Sequence, residues 1–300
     1  MTNHQTGVGQ LEQLDELLDE AVVAEQVKKI KVERKAVILA HNYQRPEIQD
    51  IADFTGDSLG LARQAAKTGA EVIVFCGVRF MAETASILCP DKTVLLPEMD
   101  AGCPLADMAD AAQVEEIAGR HPGAVVVSYV NTSAAVKAVS DYCCTSSNAV
   151  SVVEAVGGDT VLFVPDRNLA GYVAGLVDKR VIPWEGFCPV HDGITPQDIL
   201  EALLEHPGAK VMAHPECRKE VLELADYVRS TSGMLEAALE SDAEEFVVAT
   251  EAGMLYPLSL AAPGKRFFPP AREPICPDMK LTTLPKVLWA LQTLQPEVRV

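Results

Sequence analysis

Short apolar runs alternate with segments of helical apolar spacing along the first third of the chain. The strand-like runs are Ala36–Ala40, Glu71–Phe75 and Thr93–Leu96, and the helix-like segments are 58–68, 79–88 and 105–118. Continuous apolar strands between helices indicate parallel sheets that are covered on both faces. An earlier segment, 11–31, has apolar residues at helical spacing with a charged opposite face, and we expect a helix that packs on the first domain.

The same order of elements recurs twice more at nearly constant spacing. The strand that ends at His41 corresponds to a strand that ends at Tyr129, 88 residues later, and to one that ends at His214, a further 85 residues on. The two later copies are both introduced by His-Pro-Gly-Ala, at His121 and His206. Second strands, helix starts and one cysteine per third keep the same offsets, so an internal repeat of about 85 residues is indicated.

This repeat predicts an α/β protein of three pseudo-symmetric three-layer αβα domains, with parallel sheets around a central active site. The predicted segments are an N-terminal helical extension (1–35), domain 1 (36–105), domain 2 (106–190), domain 3 (191–276) and a C-terminal helix (277–300). The helix expected around 281–292 would be the third copy of 105–118.

Composition narrows the possible partners. A hydrophobic content of 48% with 23% charged residues is that of a globular chain, and a formal net charge of −18 argues against nucleic acid or an anionic membrane as a partner. No apolar run is long enough for a membrane span, and the first residues lack a signal pattern, so we expect a cytoplasmic protein. An anionic substrate would then need local attraction, for example at helix N-termini.

Polar side chains follow the first strand of each third. These are His41-Asn42-Tyr43, Tyr129-Val130-Asn131 and His214-Pro215-Glu216. Ligands of parallel sheets bind outside the carboxyl ends of the strands, and imidazole, phenol, amide and carboxylate groups there can orient a substrate and move protons. Hydroxyls recur at the predicted helix starts, at Ser58, Ser146 and Thr231, where a phosphate or carboxylate could sit on free backbone N–H groups.

Three of the eight cysteines occupy equivalent places in the thirds, and each is directly followed by proline: Cys103, Cys188 and Cys276. Three thiolates without a clear fourth fit a [4Fe–4S] cluster with one open iron. A structural zinc site with His191 as the fourth ligand fits as well, because no CxxC pair separates the two metals.

The chain resembles the quinolinate synthase family over roughly residues 30 to 295. The motifs that carry the resemblance are His41-Asn42-Tyr43-Gln44, Gly56-Asp57-Ser58, Phe75-Cys76-Gly77-Val78, Tyr129-Val130-Asn131, Thr145-Ser146-Ser147-Asn148-Ala149, Pro165-Asp166-Arg167-Asn168-Leu169, His214-Pro215-Glu216-Cys217 and Phe268-Pro269-Pro270-Ala271-Arg272-Glu273.

The resemblance implies condensation of iminosuccinate (iminoaspartate) with dihydroxyacetone phosphate to quinolinate in NAD biosynthesis, with release of phosphate and water. It implies a [4Fe–4S] cluster held by Cys103, Cys188 and Cys276, whose open iron acts as a Lewis acid. Around the substrate it implies His41, Ser58, Tyr129, Asn131, Ser146, His214, Glu216 and Thr231, and it places Tyr43 and His191 at the cavity. We expect Glu216, with Tyr43 or a histidine among His41, His191 and His214, to carry protons. An aspartate oxidase or dehydrogenase is the implied source of the unstable imine.

One departure from the family pattern concerns the last cysteine. Some members carry a second cysteine shortly after it, but here the run is Cys276-Pro277-Asp278-Met279, so we expect no CxxC redox switch. The competing class of function is a non-catalytic iron–sulfur or zinc protein that senses metal or binds a nucleotide. No G-x-G-x-x-G loop follows a strand, which disfavours nucleotide binding.

Overall fold

The structure, a computed structural model, describes residues 20–300. The described chain divides into two compact units, one formed by 20–102 with 277–300 and the other by Cys103–Cys276. Residues 11–19 of the first predicted helix lie outside the described residues. Among residues 20–300, no helix is both long and apolar enough to cross a bilayer.

The first unit contains one four-stranded parallel sheet, in the order β2-β1-β3-β4. Its strands are β1 (Ala36–His41), β2 (Phe54–Gly56), β3 (Val72–Cys76) and β4 (Thr93–Leu95), and the helices that accompany them are α1 (Glu20–Glu33), α2 (Pro46–Ile51), α3 (Ser58–Lys67) and α4 (Arg79–Leu88). Val23 and Val27 of α1 are buried in the core of this sheet, which confirms the helix predicted to pack on the first domain.

The second unit contains two further sheets. One has the order β6-β5-β7-β8 and comprises α5 (Ala111–Arg120), β5 (Val125–Tyr129), α6 (Ala134–Ala138), β6 (Tyr142–Cys144), α7 (Ala149–Ala155), β7 (Thr160–Val164), α8 (Arg167–Ala174) and β8 (Arg180–Pro183). The other has the order β10-β9-β11-β12 and comprises α9 (Pro189–Asp192), α10 (Pro196–Glu205), β9 (Lys210–Ala213), α11 (Lys219–Leu222), β10 (Tyr227–Val228), α12 (Thr231–Glu240), β11 (Glu245–Ala249), α13 (Leu255–Ala261) and β12 (Arg266–Phe268).

All strand pairs in these sheets are parallel, and their registers repeat. Leu39 pairs with Phe54, Val127 with Tyr142, and Met212 with Tyr227. In each sheet, a residue of the first strand therefore pairs with the residue fifteen positions later in the sequence, in the second strand. The α/β class with three αβα units is therefore confirmed, and the repeat seen in the sequence is a repeat of strand register. The exact segment boundaries given above stay predictions.

An aspartate at the start of each edge strand helps to set that register. Asp53, Asp141 and Asp226 each accept the backbone N–H of a first-strand residue at 2.8 Å, from Ile38, Val126 and Val211 respectively. The three aspartates keep the offsets of 88 and 85. Sequence reasoning assigned no role to these side chains, and it did not predict the two- or three-residue edge strands that follow them.

A ten-residue helix follows each repeat cysteine and begins at the same distance from it. These helices are α5, α10 and α14 (Leu284–Thr293), all ten residues long. Val114 of α5 packs on the β5–β8 sheet, Ile199 of α10 on the β9–β12 sheet, and Leu288 of α14 on the β1–β4 sheet. The prediction over 105–118 is corrected, since Ala106–Met108 forms a separate 3-10 turn and Asp110 caps a new helix by accepting the Gln113 N–H.

Candidate active site

Glu216 lies two residues beyond the strand-end residue His214, in the second unit. The Glu216 backbone N–H donates to Nδ1 of His214 at 3.3 Å, which leaves the ring proton on Nε2. That Nε2 lies 3.2 Å from the Ser146 hydroxyl, so the imidazole donates to Ser146 Oγ. Backbone geometry after β9 thus fixes the tautomer of His214.

The first unit repeats this arrangement at the end of β1. The Tyr43 N–H donates to Nδ1 of His41 at 3.2 Å, and the two rings meet edge-on with centroids 4.6 Å apart. The Lys280 ammonium donates a hydrogen bond to the Tyr43 carbonyl at 2.5 Å and holds the turn that follows β1. Both predicted residues are buried, and His41 has the same tautomer as its repeat partner His214.

The Glu216 carboxylate is buried beside two imidazoles and the Tyr129 side chain. His191 Nδ1 lies 2.7 Å from Glu216 Oε2, His214 Nδ1 lies 3.8 Å from the same oxygen, and the Tyr129 side chain hydrogen-bonds the carboxylate. Burial opposes ionisation, but the positive charge that His191 and His214 carry when protonated, with the hydrogen bonds from His191 and Tyr129, outweighs it and lowers the pKa of Glu216 to about 2. Glu216 is therefore a carboxylate at neutral pH.

His191 links this carboxylate to one of the repeat cysteines. Its Nδ1 is 3.2 Å from Cys188 Sγ, its Nε2 is 2.8 Å from the Thr250 hydroxyl, and its ring stacks on His214 with centroids 4.7 Å apart. One ligand atom each of Cys188, His191 and Glu216 lie within 4.8 Å of one another, a spacing that can hold a metal ion.

The three repeat cysteines all lie in the second unit and are partly exposed. Burial of the thiol, together with the nearby charges of Glu216 and Cys276, raises the pKa of Cys103 to about 12. Burial, Glu216 and Cys103 likewise raise the pKa of Cys188. Cys103 is close enough to Cys188 and to Cys276 for their charges to affect the pKa of a thiol, and a positively charged metal group is what would stabilise the three as thiolates. This donor set fits an iron–sulfur cluster.

Salt bridges and hydrogen bonds to the buried Asp192 hold the backbone next to Glu216. Asp192 at the end of α9 accepts hydrogen bonds from Arg167, Asn168 and Arg218 at 3.2, 3.0 and 2.9 Å. The Asn168 amide also donates to the Glu216 carbonyl at 3.0 Å. This network ties α8 and α9 to the loop that carries the carboxylate.

The predicted hydroxyl residues have different surroundings. Ser58 and Thr231 are the first residues of α3 and α12, as predicted, behind the capping residues Asp57 and Ser230. Thr231 is buried, and its hydroxyl has no hydrogen-bond partner among the described residues. Ser146 was wrongly predicted at a helix start.

Ser146 instead lies in a turn before α7, whose first residue is Ala149. The turn forms because Asn148 Oδ1 accepts the backbone N–H of Thr145 at 2.7 Å. Asn131 lies in another turn, after β5, where Lys137 donates to the carbonyl of the preceding residue, Val130, at 2.9 Å.

The second unit thus brings together eight of the predicted residues in contacts or through their charges: Tyr129, Ser146, His191, His214, Glu216, Cys103, Cys188 and Cys276. Among the described residues of the second unit, no hydrogen bond links Asn131 or Thr231 to this group, and His41, Tyr43 and Ser58 belong to the first unit. Asp166 and Asn168 lie in one of the motifs that carry the resemblance, but sequence reasoning assigned no role to Thr250, Asn168, Asp166 or Glu251. The last two could have been found, because they are acidic residues 85 positions apart at the ends of β7 and β11.

Known proteins of one family are similar to this chain over most of its length. A family model described as "Quinolinate synthetase A protein" matches residues 25–300. A quinolinate synthase of Methanosarcina barkeri is 54% identical over 283 residues, which is 94% of this chain and 93% of that protein. Those of Methanoregula boonei and Dehalococcoides mccartyi are 56% and 54% identical, over 94% and 93% of this chain and 93% and 92% of theirs.

Proposed function

Because the chain belongs to the quinolinate synthase family, whose enzymes act in NAD biosynthesis, we propose that it condenses iminosuccinate with dihydroxyacetone phosphate to quinolinate, phosphate and water. Both substrates are small anions, so a chain with a net charge of −18 must attract them locally, for example at helix N-termini. A cytoplasmic location is part of the proposal, since a reducing compartment would keep the eight free cysteines reduced.

One observation carries the proposal beyond family membership. The His191 Nδ1 lies 3.2 Å from Cys188 Sγ and 2.7 Å from Glu216 Oε2, so a repeat cysteine and the buried carboxylate contact the same imidazole nitrogen in the second unit. A metal group held by the cysteines would therefore lie next to an ionised carboxylate that could accept a proton.

Cys103, Cys188 and Cys276 are the residues that would hold a [4Fe–4S] cluster. When bound, such a cluster supplies a Lewis-acidic iron without a protein ligand, able to polarise an oxygen of a substrate. His191 would not be a cluster ligand in this proposal, because its two ring nitrogens are already used by Glu216 and Thr250.

Glu216 is the proposed proton acceptor of the reaction. It is ionised, buried and hydrogen-bonded, so it can take a proton from a substrate carbon or nitrogen and return it during tautomerisation and ring closure. His191 holds the carboxylate in place through Nδ1, and its own position is fixed at Nε2 by Thr250. His214 presents its Nε2 proton to Ser146, so that pair would donate hydrogen bonds to an anionic substrate.

The remaining roles follow the family pattern. Tyr129, Asn131 and Thr231 of the second unit, and His41, Tyr43 and Ser58 of the first, would bind the substrate carboxylates and phosphate. Thr231 suits this role because it is buried at the N-terminus of the ten-residue α12 and its hydroxyl makes no hydrogen bond within the described residues. An aspartate oxidase or dehydrogenase would supply the unstable imine.

Iron and sulfide analysis of anaerobically purified protein tests the proposal. We expect about four irons and four sulfides per chain in the wild type and their loss in Cys188→Ala, together with quinolinate formation by the wild type only. Cys143→Ala is the matched control, because Cys143 is an exposed cysteine outside the repeat positions. One zinc per chain and no quinolinate would point instead to a metal ion at Cys188, His191 and Glu216, and to a non-catalytic protein.

A further inference from the structure

Two buried acids occupy the same position in two of the repeats. Asp166 follows β7 and Glu251 follows β11, 85 residues apart, and the two residues are 0% and 1% exposed. Neither belongs to the substrate or cluster residues proposed above. A buried carboxylate is retained only where hydrogen bonds compensate its lost hydration, so the partners of these two acids indicate their purpose.

Each acid joins a helix start to the loop of a ligand cysteine. Asp166 accepts the Leu169 N–H at 2.7 Å with one oxygen and the Cys188 N–H at 3.1 Å with the other. Glu251 accepts the Gly253 N–H at 2.8 Å and the Cys276 N–H at 3.1 Å in the same way. The two carboxylates therefore make equivalent bridges to equivalent cysteines.

Forming the cysteine loops does not itself require these acids. In all three repeats the residue that follows the acid position donates its N–H to a carbonyl two residues before the cysteine: Arg79 to Ala101 at 2.9 Å, Arg167 to Gly186 at 2.8 Å and Ala252 to Pro274 at 2.8 Å. At the acid position itself the first repeat has Val78, which cannot accept a hydrogen bond. The loop backbone is thus anchored without a carboxylate, and the carboxylates act on the cysteine residues themselves.

We propose that Asp166 and Glu251 are positioning residues that hold Cys188 and Cys276 for the cluster, while Cys103 is held without such a carboxylate. This inference rests on the proposed [4Fe–4S] function. Each acid fixes the backbone nitrogen of its cysteine and so limits the positions that the sulfur can reach. Outer-shell partners of this kind orient ligands, and their removal commonly weakens metal binding by ten- to a hundredfold.

Asp166→Asn and Glu251→Gln test the inference with little change of volume. An amide has one accepting oxygen, so it keeps one of the two N–H bonds and opposes the other with its own NH₂ group. The matched control is Asp110→Asn, because Asp110 caps α5 through the Gln113 N–H and contacts no cysteine. All proteins are purified anaerobically, and iron release to an excess of chelator is followed at fixed pH.

We expect each variant to release iron about tenfold faster than the wild type or more, and to alter the electron paramagnetic resonance spectrum of the reduced cluster. Asp110→Asn should match the wild type in both. A charge-retaining Asp166→Glu should restore much of the retention if the carboxylate bridge is what matters. Circular dichroism of the metal-free proteins shows whether each variant folds, and if Asp166→Asn does not, Glu251→Gln decides the question.

Release rates and spectra equal to those of the wild type in folded Asp166→Asn and Glu251→Gln would overturn the inference and leave the proposed function standing. A wild-type protein without a four-iron cluster would overturn the proposed function, and this inference with it. The two failures are therefore distinguished by the wild-type iron content alone.

Discussion

Replacing Glu216 by glutamine tests both the electrostatics and the chemistry of the site. Glutamine has nearly the same shape but neither the charge that pairs with His191 at 2.7 Å nor the ability to take a proton. Glu223→Gln is the matched control, since Glu223 is an exposed glutamate whose only salt bridge is a 3.7 Å surface contact with Lys219 in the described chain.

The magnitude on stability follows from the lowered pKa. A carboxyl whose pKa falls from 4.5 to about 2 on folding adds roughly 3 kcal/mol to the free energy of unfolding. Because the folded pKa is the lower one, this contribution is complete above the unfolded pKa of 4.5 and disappears as the pH falls to about 2. Asp166 affects the free energy of unfolding with the opposite sign, because burial and the Glu216 charge raise its pKa. The difference in unfolding free energy between the wild type and Glu216→Gln is therefore expected to be about 3 kcal/mol at most.

The assay has two parts. Denaturant unfolding of metal-free wild type, Glu216→Gln and Glu223→Gln from about pH 6 to about pH 2 gives the free energy of unfolding of each protein. Only the wild type and Glu223→Gln should lose the Glu216 contribution on acidification. Quinolinate formation by cluster-loaded protein should fall by about 10² to 10⁴ in Glu216→Gln, the usual loss when a general base is removed, with iron content unchanged.

Either half of this reasoning can fail separately. Near-normal turnover of iron-loaded Glu216→Gln would refute the role of Glu216 as proton acceptor. Superimposable acid profiles of the wild type and Glu216→Gln would show that the carboxylate is not stabilised by His191 and His214.

Two other changes test parts of the fold that support the site. Gly186→Ala should reduce iron retention and lower the free energy of unfolding by about 1–3 kcal/mol, since a Cβ there would lie 2.5 Å from the Pro165 carbonyl oxygen beside the Cys188 loop. Gly171→Ala is the control, because its Cβ meets nothing within 4 Å. Equal iron content in both variants would contradict the expectation. Asp141→Ala should lower the free energy of urea unfolding by about 1–3 kcal/mol, because the Val126 N–H loses its carboxylate acceptor at 2.8 Å. Asp141→Asn keeps an accepting oxygen and should lower it less. Equal stability of the wild type and both variants would show that Asp141 does not stabilise its sheet.

The sequence alone determined the repeat, the long strands and the three cysteines. Buried parallel strands must be continuously apolar, so β1, β5 and β9 stand out against their amphipathic helices, and a constant offset carries each landmark into the next third. Residues at the ends of equivalent strands, such as His41 and His214, then follow from position alone, and the structure gives both the same ring tautomer.

Only the tertiary structure decided which of these side chains meet. The contacts of His191 with Cys188, Glu216 and Thr250 join loops from different parts of the chain, and no periodicity encodes the path of a loop. Ser146 shows the same limit. The Asn148 side chain accepts the Thr145 N–H and forms a turn, so the helix begins at Ala149 and not at Ser146, where the hydroxyl pattern predicted it. Local pattern thus determined which residues face the strand ends, whereas long-range hydrogen bonds and charge decided which of them form one site.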